Sequence, residues 1–130
     1  MKIVIIGAGA MGGLFAARLA AAGEDVSVVD VWAEHVEAIR TQGLILETGQ
    51  GEVRAKPAAV TRAEDLAACA ADLAVIFVKS AMTAAAARSA QALLASAGRV
   101  LTLQNGLGNA ETIAAVVGAE KVLAGTTAQG

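Results

Sequence analysis

The chain has no tyrosine, two phenylalanines and one tryptophan in 130 residues, so aromatics make up only 2% of it. Ten Lys and Arg stand against twelve Asp and Glu. With neither a basic excess nor aromatic faces on which bases could stack, nucleic acid is not an expected partner. A single cysteine, Cys69, excludes an internal disulfide, and with His35 as the one histidine there is no Cys/His set for structural zinc. Cys69 lies in the alanine-rich LAACAADL, where it reads as a small buried hydrophobe in a helical setting. No apolar run reaches the roughly 18 residues of a spanning helix, so no membrane is expected either. The start, MKIVIIGAGAMGGLFAARLAAAG, imitates a signal peptide, but Gly7, Gly9, Gly12 and Gly13 break its apolar segment and Arg18 interrupts the alanine-rich stretch. These absences fit a cytoplasmic protein.

What is present is a large apolar fraction, 56%, with a mean hydropathy of +0.61. That is far from disordered composition, and the core must be built from Ala, Val, Leu and Ile. Short β-branched runs alternate with alanine-rich stretches. KIVIIG (2–7) reads as a buried strand, residues 12–22 as a helix closed by Gly23, DVSVVD (25–30) as a strand, and 32–42 as a helix closed by Gly43. Residues 44–61 are less regular. Gly49-Gln50-Gly51 between two alternating runs suggests a hairpin or two edge strands, and Pro57 agrees with an edge. A short helix over 64–71, a strand over 73–80, a helix over 81–97 closed by Gly98 and a strand over 99–104 come next. Asn109 is expected to cap a helix over 110–117, before a last strand over 121–127. Near-continuous apolar strands joined by helical crossovers define an α/β fold with a doubly wound parallel sheet. The whole chain, 1–130, reads as one such domain. It stops directly after a strand, as a fragment of a longer protein would.

Gly7-Ala8-Gly9-Ala10-Met11-Gly12 matches G-x-G-x-x-G, follows a strand and opens a helix. Asp30 stands eighteen residues after Gly12, at the end of the second strand. That context makes the loop a Rossmann-type dinucleotide fingerprint. Gly7 permits the tight exit from the strand, Gly9 leaves room for a pyrophosphate, and Gly12 lets the helix pack close to the strand. The helix N-terminus offers N–H groups and partial positive charge to the phosphates. A carboxylate at position 30 accepts hydrogen bonds from the adenosine ribose hydroxyls and repels a 2′-phosphate. Val31, Trp32, Ala33 and Glu34 supply no cation, so NAD is favoured over NADP. Asp30 could also N-cap the next helix, and Trp32 reads as an ordinary half-buried aromatic, with a place beside the adenine as the alternative. His35 reads as a surface residue of that helix.

In a doubly wound sheet, ligands sit beyond the carboxyl ends of the strands. Lys79 follows one such strand and Asn105-Gly106 the next, which makes them candidates for a single site. A lysine there could face the nicotinamide ribose or a substrate carboxylate, or simply be solvated. An asparagine offers both donor and acceptor, and the glycines beside it let a ligand approach the backbone.

GAGAMGG at 7–13, VKS at 78–80, LQNGLGN at 103–109 and GTT at 125–127 together resemble the N-terminal domain of ketopantoate reductases (2-dehydropantoate 2-reductases). HVEAIRTQGL at 35–44 is similar to that family's second-helix region. The resemblance implies hydride transfer from a nicotinamide cofactor to a 2-keto acid, the chemistry of pantothenate biosynthesis. It implies a two-domain enzyme whose helical C-terminal domain, absent here, carries a lysine as proton donor and closes the cleft. On this resemblance Lys79 and Asn105 are catalytic residues that also touch the cofactor, beside Gly7, Ala8, Gly9, Ala10, Met11, Gly12, Asp30 and Gly106. The isolated chain would bind cofactor without turning over. A homodimer of the full-length protein stays open. Family members typically use NADPH, with an arginine soon after the second strand; here Trp32 takes that place and Asp30 adds a negative charge. A regulatory NAD-binding module of a transport system is the alternative, although it has no need of a Q-N-G-x-G loop or a strand-end lysine.

Overall fold

The computed structural model describes residues 1–66, 69–103 and 108–125. The chain opens with β1 (Lys2–Ile6), α1 (Ala10–Ala21), β2 (Asp25–Val29) and α2 (Ala33–Gln42). A hairpin of β3 (Leu44–Thr48) and β4 (Gly51–Ala55) comes next, then β5 (Ala58–Val60). The second half holds β6 (Ala71–Ile76), α3 (Thr83–Leu93), β7 (Leu94–Thr102), α4 (Asn109–Val117) and β8 (Val122–Ala124). Six strands form one sheet in the order β5-β2-β1-β6-β7-β8, and every neighbouring pair is parallel. The strand order reverses between β1 and β6, which is where a doubly wound sheet opens a crevice.

Alternation along β1 explains why both faces are covered. Ile3 and Ile5 point into a layer with Ala16 of α1 and Val36 and Ile39 of α2. Val4 and Ile6 point the other way, against Ala86, Ala87, Ala90 and Leu93 of α3 and Ile113 of α4. Small alanine side chains let those helices lie close to the sheet. The two phenylalanines, Phe15 and Phe77, pack together with ring centroids 5.1 Å apart.

The glycine punctuation of the first half stands. Gly23 has φ +95, its N–H bonds the Ala20 carbonyl, and Glu24 N–H bonds that of Leu19, a Schellman end to α1. The irregular segment holds a separate antiparallel hairpin, β3 with β4, and then β5 after Pro57 as an edge strand of the main sheet.

The second half departs from the sequence reading in four places. In place of a helix over 64–71 there is a 3-10 turn, Ala63–Leu66, and β6 has begun by Ala71. The buried Cys69 is therefore not helical, though burial does push its thiol upward from its ordinary pKa. The alanine-rich stretch 81–97 is divided among a 3-10 turn, Ser80–Met82, the helix α3 and the start of β7. Gly98 lies inside β7 and ends no helix. A Cβ there would stand 2.6 Å from the Ala71 carbonyl oxygen, so glycine serves a close approach of two strands where their register shifts. Asn109 is the first residue of α4 and not its cap; Gly108, at φ +87, holds that position. The buried Asn109 Oδ1 instead accepts a hydrogen bond of 3.1 Å from the Thr83 hydroxyl, joining the starts of α3 and α4. The last strand is short, Val122–Ala124, after a 3-10 turn at Ala119–Lys121.

Candidate functional site

The strand ends around the crevice are tied to one another. Gly7 N–H donates to the Val29 carbonyl at 2.9 Å, Phe77 N–H to Ile6 at 2.8 Å and Asp30 N–H to Val60 at 3.1 Å. The first residues beyond β1, β2, β5 and β6 are thereby brought to one edge. They line a cleft of about 540 Å³ that includes Gly7, Gly9, Asp30, Arg62, Glu64 and Lys79.

Each glycine of the loop has its own reason. Gly7 sits at φ +96, and a Cβ there would lie 3.0 Å from the Phe77 backbone. A Cβ on Gly12 would lie 1.8 Å from the Gly7 carbonyl oxygen, which only glycine at that crossing of α1 over β1 allows. Gly9 has ordinary φ of −69 and nothing within 4 Å of its Cβ position, so its freedom serves whatever enters the cleft. Ala10 and Met11 form the first turn of α1, which has no side-chain cap and no acidic residue. Nothing on α1 itself therefore offsets its positive end, and N–H groups of its first turn are left for an anion.

Ala8, buried at the centre of the loop, is held from both sides. Its N–H donates to Asp30 Oδ2 at 2.7 Å, and its carbonyl accepts from His35 Nε2 at 2.6 Å. Because a carbonyl only accepts, Nε2 is the protonated ring nitrogen. Asp30 Oδ1 accepts the Trp32 N–H at 2.9 Å, so the half-buried carboxylate fixes both the loop and the entry to α2. These bonds take two of the carboxylate's roughly four lone-pair positions. The cap reading of Asp30 is thus replaced by a broader one, since the N–H it takes belongs to the N-cap residue Trp32 itself.

His35 departs from the sequence reading and is no bystander on the surface. It is half-buried, bonds the fingerprint loop and stacks on Trp32 with centroids 5.4 Å apart. Trp32 is 62% exposed and not half-buried as the sequence suggests, because only His35 stacks on its ring while much of the indole meets solvent. The signal for His35 was its place beside Val36 and Ile39, the buried residues of α2. A His35→Ala variant is expected to weaken dinucleotide binding about threefold to tenfold, since one net hydrogen bond steadying the loop is lost. Calorimetric titration would check it, and unchanged affinity would mean the loop holds its shape without the imidazole.

Lys79 lies past the end of β6, exposed, in the turn before α3, and faces the cleft. Asn105 and Gly106, with Thr126 and Thr127 of the GTT motif, lie outside the described residues. Arg62 and Glu64 were not legible as site residues. Read locally, the residues directly after β2 supply no cation, whereas the parallel pairing of β2 with β5 brings one from the loop after β5.

A parallel sheet with a switch-point crevice, an intact glycine fingerprint and an acidic residue closing β2 define a Rossmann-type domain. The chain matches the family described as ketopantoate reductase PanE/ApbA over residues 3–130, and it belongs to that family. It is 39% identical over 130 residues to a 2-dehydropantoate 2-reductase of Halobacterium salinarum, covering all of this chain and 42% of that protein. A PanE/ApbA family ketopantoate reductase from Ralstonia eutropha superposes with a TM-score of 0.82 at 37% identity, over 95% of this chain and 40% of the other. A D-mandelate dehydrogenase solved with NADH and anilino(oxo)acetate gives 0.88 at 36% identity, over 97% and 40%. The chain thus spans about two fifths of the length of such relatives. Among the described residues, no helix is long and apolar enough to cross a membrane.

Proposed function

We propose that this chain is the cofactor-binding domain of a two-domain, NAD-dependent reductase of 2-keto acids. The observation that carries the reading is the single cleft shared by Gly7, Gly9, Asp30 and Lys79. The open face of Gly9 and the uncapped start of α1 fit a pyrophosphate, and the Asp30 carboxylate fits a ribose with its 2′-hydroxyl bare. When bound, the nicotinamide supplies a hydride to the keto carbon of the substrate. Lys79 orients a carboxylate or a ribose hydroxyl at the far end of the cleft. Asn105 and Gly106, which come after the neighbouring strand β7, hold the reacting carbonyl beside the cofactor. The proton comes from the second domain. Family membership favours this reading over a regulatory NAD-binding module, and the NADH bound by the D-mandelate dehydrogenase favours a nicotinamide cofactor. A small-molecule 2-keto acid is the substrate class; ketopantoate and aryl keto acids are both members of it.

The test is a titration of the full-length protein with NADH and NADPH, followed by assay against a panel of 2-keto acids that includes ketopantoate. NADH is expected to bind about tenfold more tightly than NADPH, from the repulsion between Asp30 and a 2′-phosphate. Equal or tighter NADPH binding would overturn the role given to Asp30. Reduction of no 2-keto acid would overturn the reductase.

A further inference from the structure

The cleft holds a charged pair, Arg62 and Glu64, in addition to Asp30. Val29 is paired with Val60 across β2 and β5, and Asp30 N–H bonds the Val60 carbonyl, so the loop beginning at Thr61 runs directly beside Asp30. Arg62 and Glu64 line the cleft from that loop together with Asp30 and Val31. Arg62 Nε and Nη2 both donate to Glu64 Oε2, at 3.0 and 2.8 Å. A carboxylate that closes β2 marks where the ribose 2′-position lies. The guanidinium therefore stands near the atoms that distinguish the two nicotinamide dinucleotides.

We propose that the Arg62–Glu64 pair sets cofactor choice: while Glu64 neutralises Arg62 the cleft takes the unphosphorylated ribose, and removing the Glu64 charge makes Arg62 a 2′-phosphate site. This role rests on the dinucleotide reading above. Both side chains are largely exposed, 70% and 69%, so the pair holds little folding energy and acts on a ligand through its charge. Arg62 holds the Glu64 carboxyl below the usual carboxylate range, and Glu64 is thus ionised whenever the enzyme works near neutrality. A 2′-phosphate entering the cleft meets one cation already cancelled by Glu64, the Asp30 carboxylate and, more weakly, Asp65 beside Arg62. Glu64→Gln keeps the shape of the loop and leaves the guanidinium uncancelled. Arginine's planar fork is well matched to phosphate oxygens.

The experiment is a set of dissociation constants for NADH and NADPH on full-length wild type, Glu64→Gln, Arg62→Gln and the double variant. Glu64→Gln is expected to tighten NADPH about tenfold while NADH moves by less than about twofold. The gain should vanish in the double variant and shrink in high salt, as an attraction between exposed charges does. Should Glu64→Gln shift both cofactors equally or neither, the inference is overturned. So it is if Arg62→Gln weakens both alike, since that is the signature of a guanidinium stacked on adenine. Failure of wild type to bind either dinucleotide would remove the cofactor reading itself, a separate result visible before any variant is made.

Discussion

Gly12→Ala is expected to be the most damaging methyl group that can be added to a glycine among the described residues, costing about 3 kcal/mol of stability and abolishing dinucleotide binding. The new Cβ would lie 1.8 Å from the Gly7 carbonyl oxygen and 2.9 Å from its carbon, both backbone atoms with no rotamer to change. Gly7 cannot retreat either. Its N–H is bonded to Val29, and its own Cβ position already abuts the Phe77 backbone at 3.0 Å. Relief must come from lifting α1 off β1, which opens the layer holding Ile5 and Ala16 and moves the helix N-terminus out of the cleft. Gly9→Ala makes the contrast. That position has ordinary φ and open surroundings, so stability should hold, while affinity should fall if the phosphates approach there as proposed. Denaturant midpoints and NADH titrations on the two variants separate a glycine needed by the fold from one needed by the ligand. A stable, binding-competent Gly12→Ala would mean that α1 and β1 are not locked at this crossing.

The fold and the cleft are legible in the sequence wherever local signals suffice. β1 carries four consecutive β-branched residues and β2 three valines, and the residues that end the first two helices, Gly23 and Gly43, adopt the positive φ their positions suggest. The family resemblance carried by the motifs is matched over nearly the whole chain. Alanine is the poor witness. A stretch such as 81–97 suits a helix by propensity, but alanine also packs wherever two backbones come close, and strand pairing claims its last part for β7. Asn109 looks like a cap because its side chain can accept a hydrogen bond; burial beside Thr83 gives that acceptor another donor. His35 and Arg62 reach the site through the docking of α2 and through the β2–β5 pairing. Val36 and Ile39 beside His35 mark the buried side of α2, whereas nothing in the residues around Arg62 announces its strand pairing.

On the proposed role of Asn105, Asn105→Ala is expected to lower kcat/KM for 2-keto acid reduction by about a hundredfold in the full-length protein, the size of effect that follows loss of a polar group serving the reacting carbonyl. Sheet topology supports this. β7 is paired with β6 through Ile76 and Thr102, so the segments that leave these strands, one bearing Lys79 and the other Asn105, start from the same edge of the sheet. The tie between Thr83 and Asn109 holds the far ends of those two segments together. An asparagine amide there can donate to a carbonyl and accept from a hydroxyl or carboxamide, and Asn105→Asp separates the two roles. If donation is what matters, Asp fails as badly as Ala, because it offers only acceptors at neutral pH. If acceptance is what matters, Asp keeps most of the activity. Lys79→Ala should instead act mainly on KM, as the loss of a positioning cation for a carboxylate would. Should Asn105→Ala leave kcat/KM unchanged, the second glycine loop is a turn and nothing more, and the chemistry must be sought on the other side of the cleft.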